Sequence, residues 1–212
     1  MRRTILTSLA VMTVFSLICG CAAKGPILVN MAYRAPEGLS RGSSSVVVGV
    51  SPFQDDRGVP ASTLGKKVKP SSGAANDLVV QGTAAGIVTA SVKQALQKRG
   101  IAVKTIPQWD PSDKGPVEAE GADILIGGSI KTLWAEVASK TVKDTYRVEV
   151  KIRAAVGSAA DRSVVRYLTL NSSMDREDVK FSPERVGSML SEALSTAIEQ
   201  LVNDPQFKKS LD

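Results

Sequence analysis

The chain has 212 residues, of which 43% are hydrophobic and 23% are charged, and its formal net charge at pH 7 is +6. This composition can bury a core, which argues against a disordered chain, and the length suits one domain with a tether. Aromatic residues make up only 4% of the chain and the basic residues do not form a stripe. A nucleic-acid-binding protein needs both features, so we predict no nucleic-acid partner.

The N-terminus has the layout of a bacterial signal peptide. Two arginines precede an apolar run over residues 5–18, which is short for a bilayer span because a spanning helix needs about 20 residues. The run ends at Ile18-Cys19-Gly20-Cys21, which resembles the lipobox of bacterial lipoproteins. In that family the thiol of the last cysteine is acylated and the chain is cut before it. The resemblance implies that residues 1–20 are a signal peptide and that Cys21 is lipidated.

The cysteine pair has other interpretations. A strained disulfide, a signal peptide cut elsewhere and an uncleaved anchor stay open as alternatives. A metal site is disfavoured because the chain has no His and no third Cys, whereas structural zinc sites use four ligands. We predict neither a metal nor a cofactor.

The residue after Cys21 bears on localisation. In the lipoprotein family, Asp at this position commonly retains the protein at the inner membrane, whereas this chain has Ala22. The resemblance therefore implies a lipid anchor in the outer membrane, on its periplasmic face. Several acyl chains would hold the protein firmly, since one chain alone binds only marginally.

The residues after the signal peptide divide into a tether and lead-in segment at 21–44, one periplasmic domain at 45–205 and a tail at 206–212. Residues 27–29 are a candidate edge strand. Hydrophobic periodicity predicts the following elements in chain order: a strand at 45–51, a polar turn at 54–58, a loop to Asn76, a helix at 79–99, a strand at 101–106, a loop at 107–120, a strand from 122 through Trp134, strands at 145–156 and 163–172, and a helix from Ser182 to about 204.

Three of these predictions rest on strong patterns. Residues 145–156 alternate between apolar and charged side chains, as a strand with one dry and one wet face requires. The helix at 79–99 has apolar residues at i, i+3 and i+4 and stops at Gly100. The last helix begins at Ser182-Pro183, a typical N-cap followed by proline at the first helical position.

The order of the elements predicts the fold class. The first strand, helix and strand favour a parallel pair with a right-handed crossover, and the later strands suit an antiparallel meander. We predict an α+β two-layer sandwich, with a mixed, mostly antiparallel sheet and two helices packed on one face.

Several stretches together resemble the YajG-type envelope lipoproteins, over most of residues 45–202. They are "VVVGVSPFQDDRG", "LQKRGIAV" and "ADILIGGSIKTLWAEV", the last followed by a long alternating strand. The pattern also approaches other small envelope modules, such as the amino-terminal domain of TolB and the auxiliary lipoproteins of transport systems. The resemblance implies an outer-membrane lipoprotein, and it carries over no catalytic residues.

Catalysis has little support in the sequence. Without His the commonest general base is missing, and Gly127-Gly128-Ser129 lacks the spacing of a phosphate-binding loop. Paired carboxylates can hydrolyse glycosides, but acids in surface turns are far commoner. We predict no enzyme and no catalytic residues, and a hydrolase stays the third hypothesis. The carboxylate pairs are Asp55/Asp56, Glu118/Glu120 and Glu177/Asp178.

The loop Asp55-Asp56-Arg57 is the candidate contact site. One interpretation is a local Asp–Arg pair that pins the loop, and the other is a recognition edge for a partner or a ligand. Our first hypothesis for function is a non-catalytic lipoprotein whose domain binds a protein partner in an envelope assembly or transport complex. The alternative is a domain that binds an envelope ligand, such as peptidoglycan fragments or lipid.

Overall fold

The computed structural model describes residues 25–39, 42, 44–111, 119, 121–160 and 163–211. The signal peptide and Cys21 lie outside the described residues. The strands and helices, in chain order, are β1 (Ile27–Leu28), β2 (Val47–Val50), β3 (Gln54–Asp55), β4 (Thr63–Lys69), β5 (Ala74–Val79), α1 (Ala84–Lys98), β6 (Ala102–Thr105), β7 (Ile124–Ser139), β8 (Asp144–Ser158), β9 (Val164–Asp178), α2 (Pro183–Val202) and α3 (Pro205–Lys209).

Strand β7 is the centre of the sheet. It pairs antiparallel with β8 along its length, and β8 pairs antiparallel with β9. Its other edge accepts three shorter parallel strands in succession, β2, β3 and β4. Strand β6 extends the sheet beyond β2, while β5 and β1 extend it beyond β4. The long pairings are antiparallel and the short ones mostly parallel, so the predicted mixed α+β sheet is confirmed.

The helices lie on one face of this sheet. The dry side of β8 is buried in the same core as the apolar side chains of α1 and α2. The other side carries the exposed Arg147, Glu149, Lys151 and Arg153. We call this side of β7, β8 and β9 the outer face. The alternation predicted for residues 145–156 and the placement of both helices are confirmed.

A hairpin replaces the predicted loop before Asn76. Strands β4 and β5 pair antiparallel across a turn at residues 70–73. Alternation is weak there because both strands are short and rich in polar residues. The hairpin is stabilised from outside, since β4 also pairs with β7. The two backbones approach so closely that a Cβ on Gly65 would stand 1.8 Å from the carbonyl oxygen of Ala135.

The lead-in segment is part of the folded domain from Ile27 onward. Strand β1 pairs with β5, so residues 27–28 form the candidate edge strand. The backbone then crosses α2, where the amides of Ala32 and Arg34 donate to the hydroxyls of Ser191 and Ser195, at 3.1 and 2.8 Å. A helix with small residues at i and i+4 offers both close approach and acceptors for an extended chain.

The C-terminal residues also pack. Helix α3 begins at Pro205 after the Asp204 N-cap, whose carboxylate accepts the amides of Gln206 and Phe207. Phe207 is buried in the core. The segment predicted as a tail at 206–212 therefore contributes to the domain, through residue 211 at least, because one aromatic side chain holds it in place.

Candidate binding cleft on the outer face

Arg57 has a structural role, because its side chain connects the loop to the neighbouring strands. Its guanidinium makes a bidentate pair with Asp55, at 2.7 Å for each contact. It also donates to the carbonyl oxygens of Thr63 and Leu133, at 2.6 and 3.1 Å. Its side chain is only 3% exposed. Arginine suits this role because its planar fork satisfies a carboxylate and several carbonyls at once. The hydrogen bonds from Arg57 lower the pKa of Asp55.

Asp56 makes a separate contact, with Lys131. The Nζ atom of Lys131 donates to its carboxylate at 2.6 Å, and both side chains are partly exposed. Hydrogen bonds from Lys131 and Ser129 lower the pKa of Asp56. The two neighbouring acids of the loop thus differ, since Asp55 braces the fold and Asp56 lines an open cleft on the outer face.

A β-bulge lies at Lys131 on the outer face. The register of β7 against β8 shifts between Ile130 and Thr132, so Lys131 is the extra residue. Ile130 and Leu133 are both buried, and Lys131 between them is exposed. The bulge reverses the alternation of β7, since even-numbered residues face the core up to Ile130 and odd-numbered residues do so from Leu133 onward.

Trp109 forms one wall of the cleft. Its backbone amide donates to the hydroxyl of buried Ser51 at 2.9 Å. Its ring lies on two glycines of the outer face, because a Cβ on Gly127 would stand 3.2 Å from the ring and one on Gly157 would stand 2.7 Å from it. The tryptophan is buried with Ile106, Leu125 and Ala155 in a second, smaller apolar cluster. The glycines are needed because they leave space for the indole.

Another part of the lining combines an arginine and a tyrosine. The guanidinium of Arg153 on β8 lies 5.1 Å from the ring centre of Tyr167 on β9. This is cation–π geometry. Both side chains are exposed at the rim, so they present a cationic group and an aromatic ring to a bound molecule.

The cleft has a volume of about 250 Å³ and is lined by Gln54, Asp56, Trp109, Lys131, Arg153 and Tyr167, among others. It is open, and it combines two carboxylates, two cations and two aromatic residues, of which Tyr167 is exposed and Trp109 is buried. Such a lining offers hydrogen bonds, ion pairing and stacking to a polar side chain or a sugar. The same lining includes Asp110 and Ser129, and Ser129 is the residue that hydrogen-bonds Asp56.

The other sequence-predicted residues lie elsewhere. Cys21, Glu118 and Glu120 are outside the described residues. Glu177 pairs with Lys143, and Asp178 pairs with Arg185 at 3.1 Å. Each described carboxylate of the three predicted pairs therefore contacts its own cation.

The described residues show neither a metal-ligand cluster nor a membrane-spanning helix. In the part of the chain that the structure covers, no three His, Cys, Asp or Glu side chains are grouped as a metal ion would require. Within the same residues, no helix combines the length and the apolar character needed to cross a membrane.

Most of the cleft was not predicted from the sequence. Asp56 was identified as a candidate, but no sequence pattern brought Lys131, Arg153 and Tyr167 together. One signal for Lys131 was available, because apolar positions alternate up to Ile130 and then resume at Leu133, and such a break in alternation indicates a bulge. The Arg153–Tyr167 contact had no comparable signal, since it depends on the register of β8 against β9.

Comparison with known proteins supports the fold and does not identify a family or a function. No protein-family model matches the chain, and no curated protein sequence matches it. The crystal structure of XCC0632 from Xanthomonas campestris, described with the family model DUF330, is similar with a TM-score of 0.54 and 14% identity, covering 84% of this chain and 90% of that one.

Two further structures are more distant. The PelC dodecamer from Paraburkholderia phytofirmans has a TM-score of 0.40 and 14% identity, covering 77% of this chain and 93% of that one. Lipoprotein GNA1162 from Neisseria meningitidis has a TM-score of 0.29 and 9% identity, covering 75% and 99%. At these identities only the fold of XCC0632 supports the architecture, and the YajG-type resemblance stays a prediction.

Proposed function

We propose that this chain is a non-catalytic lipoprotein of the bacterial outer membrane, anchored through Cys21, whose periplasmic domain binds a protein partner with its outer face. The anchor is supported by the lipobox resemblance at Ile18-Cys19-Gly20-Cys21 and the localisation by Ala22. The YajG-type resemblance agrees with this proposal. The partner belongs to an envelope assembly or transport complex.

One observation carries the binding role. Strands β8 and β9 are each 15 residues long, and the helices cover only their other side. On the outer face their charged and polar side chains stand in rows of both signs, such as Arg147 opposite Asp175 at 2.9 Å. Mixed charges on a broad flat surface favour specific recognition of a protein, and the cleft gives one partner side chain a place to insert.

The free edge of β9 is a weaker candidate for the contact. An unpaired edge strand can accept a strand from another chain. Here the side chain of Gln200 on α2 makes two bonds to the backbone of Asn171, accepting from its amide at 3.0 Å and donating to its carbonyl at 2.7 Å. The amide of Gln200 thus occupies the position that an added strand would need at Asn171.

In vivo photo-crosslinking tests this proposal. A photo-reactive residue placed at Lys151 on the outer face should capture one defined protein, whereas the same residue at the exposed Gln94 on α1 should not. The capture should disappear when Arg153→Glu is added and persist when Lys98→Glu, a charge reversal on α1, is added instead. Equal capture from Lys151 and Gln94, or none from either, would contradict a partner on the outer face.

A second function is favoured by the cleft itself. The exposed Arg153 and Tyr167, in cation–π contact at the rim of the cleft, offer a cationic group and an aromatic ring to a sugar or wall peptide. Titration of soluble peptidoglycan fragments into the purified protein distinguishes the two functions. Saturable binding that Tyr167→Ala abolishes would establish the ligand role. Turnover of those fragments that is lost in Asp56→Asn would overturn the non-catalytic proposal.

A further inference from the structure

Three turns lie together at one end of the sheet. The β7–β8 turn is there, and β9 ends beside it, because β9 finishes opposite the start of β8. The β4–β5 turn leaves the sheet at the same end, since β4 runs parallel to β7. We call this end the tip and define it as residues 69–73, 140–143 and 179–181.

The tip exposes two valines that do not pack in the core and are not typical turn residues. Val142 is 78% exposed and Val179 is 82% exposed, the highest values among the large hydrophobic residues that the structure describes as exposed. Turn positions favour Gly, Pro, Asn, Asp and Ser. A single exposed valine needs no explanation, but two at one end of the molecule form a local apolar feature.

Basic residues accompany the two valines. The tip contains no acidic residue and four lysines, which are Lys69, Lys140, Lys143 and Lys180. Glu177 on β9 pairs with Lys143 of the tip itself, and Asp178 pairs with Arg185. The positive charge of the tip therefore comes from Lys69, Lys140 and Lys180. Apolar side chains among lysines are the composition that binds the surface of an anionic bilayer, where the charge contacts phosphate and the apolar group enters the headgroup region.

The chain that leads to Cys21 leaves the domain toward the same end. Strand β1 runs parallel to β5, with Ile27 opposite Leu78, and the carbonyl oxygen of Gly25 accepts from the Asn76 side chain at 3.4 Å. Followed backward, the chain therefore heads along β5 toward the β4–β5 turn. Cys21 precedes Gly25 by four residues, and an extended chain covers at most about 14 Å over that length.

We infer that the tip is a membrane-contact surface, which rests on the anionic phospholipids of the leaflet that holds the lipidated Cys21. This inference rests on the proposed lipidation. A short tether keeps the tip near the bilayer, and the lysines and valines hold the domain in one orientation. The long strands then stand away from the membrane. Arg153 lies nine residues along β8 from Asp144, so the cleft is presented about 30 Å from the tip.

Fluorescence quenching in vesicles tests the inference. The mature lipidated protein would carry one cysteine in place of Val142, Val179 or, as the control, Val165, which is 52% exposed at the far end of β9. Each variant is labelled with a polarity-sensitive dye and reconstituted into phosphatidylethanolamine–phosphatidylglycerol vesicles containing nitroxide lipid. We expect about threefold more quenching at positions 142 and 179 than at 165, since only a group in the headgroup region meets the nitroxide.

Charge-reversal variants test the electrostatic part. Lys140→Glu combined with Lys180→Glu should reduce the quenching at Val179, and Lys98→Glu on α1 should leave it unchanged. Equal or greater quenching at Val165, or shielding of Val142 only when a partner protein is added, would overturn the inference. Mass spectrometry of the N-terminal peptide separates the two proposals. A lipidated Cys21 without quenching at the tip overturns this inference alone, whereas an unmodified Cys21 overturns the anchor and the inference with it.

Discussion

The carbonyl oxygen of Asn30 lies 2.1 Å from the place where a Cβ on Gly187 would stand. The lead-in segment therefore crosses α2 at a residue that has no side chain, and the hydroxyl of Ser191, one turn later, accepts the amide of Ala32. This crossing joins the segment that follows Cys21 to the core of the domain.

Substitution of Gly187 by Ala should displace the lead-in segment from α2 and destabilise the domain. The added methyl group meets backbone rather than a movable side chain, and overpacking of this kind costs about 1–3 kcal/mol. Urea unfolding measures the loss. Gly25→Ala is the matched control, because nothing lies within 4 Å of a Cβ there, and its free energy of unfolding should not change. A fully stable Gly187→Ala protein would show that the segment does not pack on α2.

Asp55 and Asp56 should respond differently to substitution by Ala. Removal of Asp55 leaves the buried guanidinium of Arg57 without its carboxylate, and breaking such a pair costs about 3 kcal/mol. Removal of Asp56 breaks a partly exposed pair with Lys131, worth less than about 1 kcal/mol. Denaturant unfolding of both variants gives the comparison. Similar losses of unfolding free energy in the two variants would contradict a structural role for Asp55 that Asp56 does not share.

The Asp55–Arg57 pair should also make stability depend on pH. The pKa of Asp55 is lower in the folded protein than its usual value of about 3.9. The pair therefore stabilises the fold fully above that usual value, and the contribution is lost as pH falls through the folded pKa. The stability difference between the wild-type protein and Asp55→Asn should be constant near neutral pH and should shrink in acid. A difference that grows in acid would contradict this assignment.

Gly157→Ala should displace Trp109 from the outer face. The new methyl group would stand 2.7 Å from the indole ring, so the ring must move and become more exposed. In a Trp134→Phe background, where Trp109 is the one remaining tryptophan, its emission should shift to longer wavelength. Gly25→Ala in the same background should leave the spectrum unchanged. An unshifted spectrum in Gly157→Ala would mean that the two glycines do not form the slot for Trp109.

Local sequence patterns were sufficient to predict strand β8 and helix α2. The alternation at 145–156 predicts β8 because it records which side will be buried. The Ser182-Pro183 pair predicts the start of α2 because the serine caps the first turn and proline suits the first helical position. The β4–β5 hairpin could not be found in the same way. Its polar strands are held by pairing with β7, which is a contact between residues far apart in the sequence.

The α+β class, the alternating strand that separates the core from the outer face, and the lipobox pattern could all be predicted from sequence, since they are properties of neighbouring residues. The roles of the loop residues depend on the folded chain. The tertiary structure places Asp55 against buried Arg57 and Asp56 against Lys131, and it brings Trp109, Arg153 and Tyr167 to one cleft. The physical reason is that strand register and a single bulge set which distant side chains meet, and no local pattern records that register.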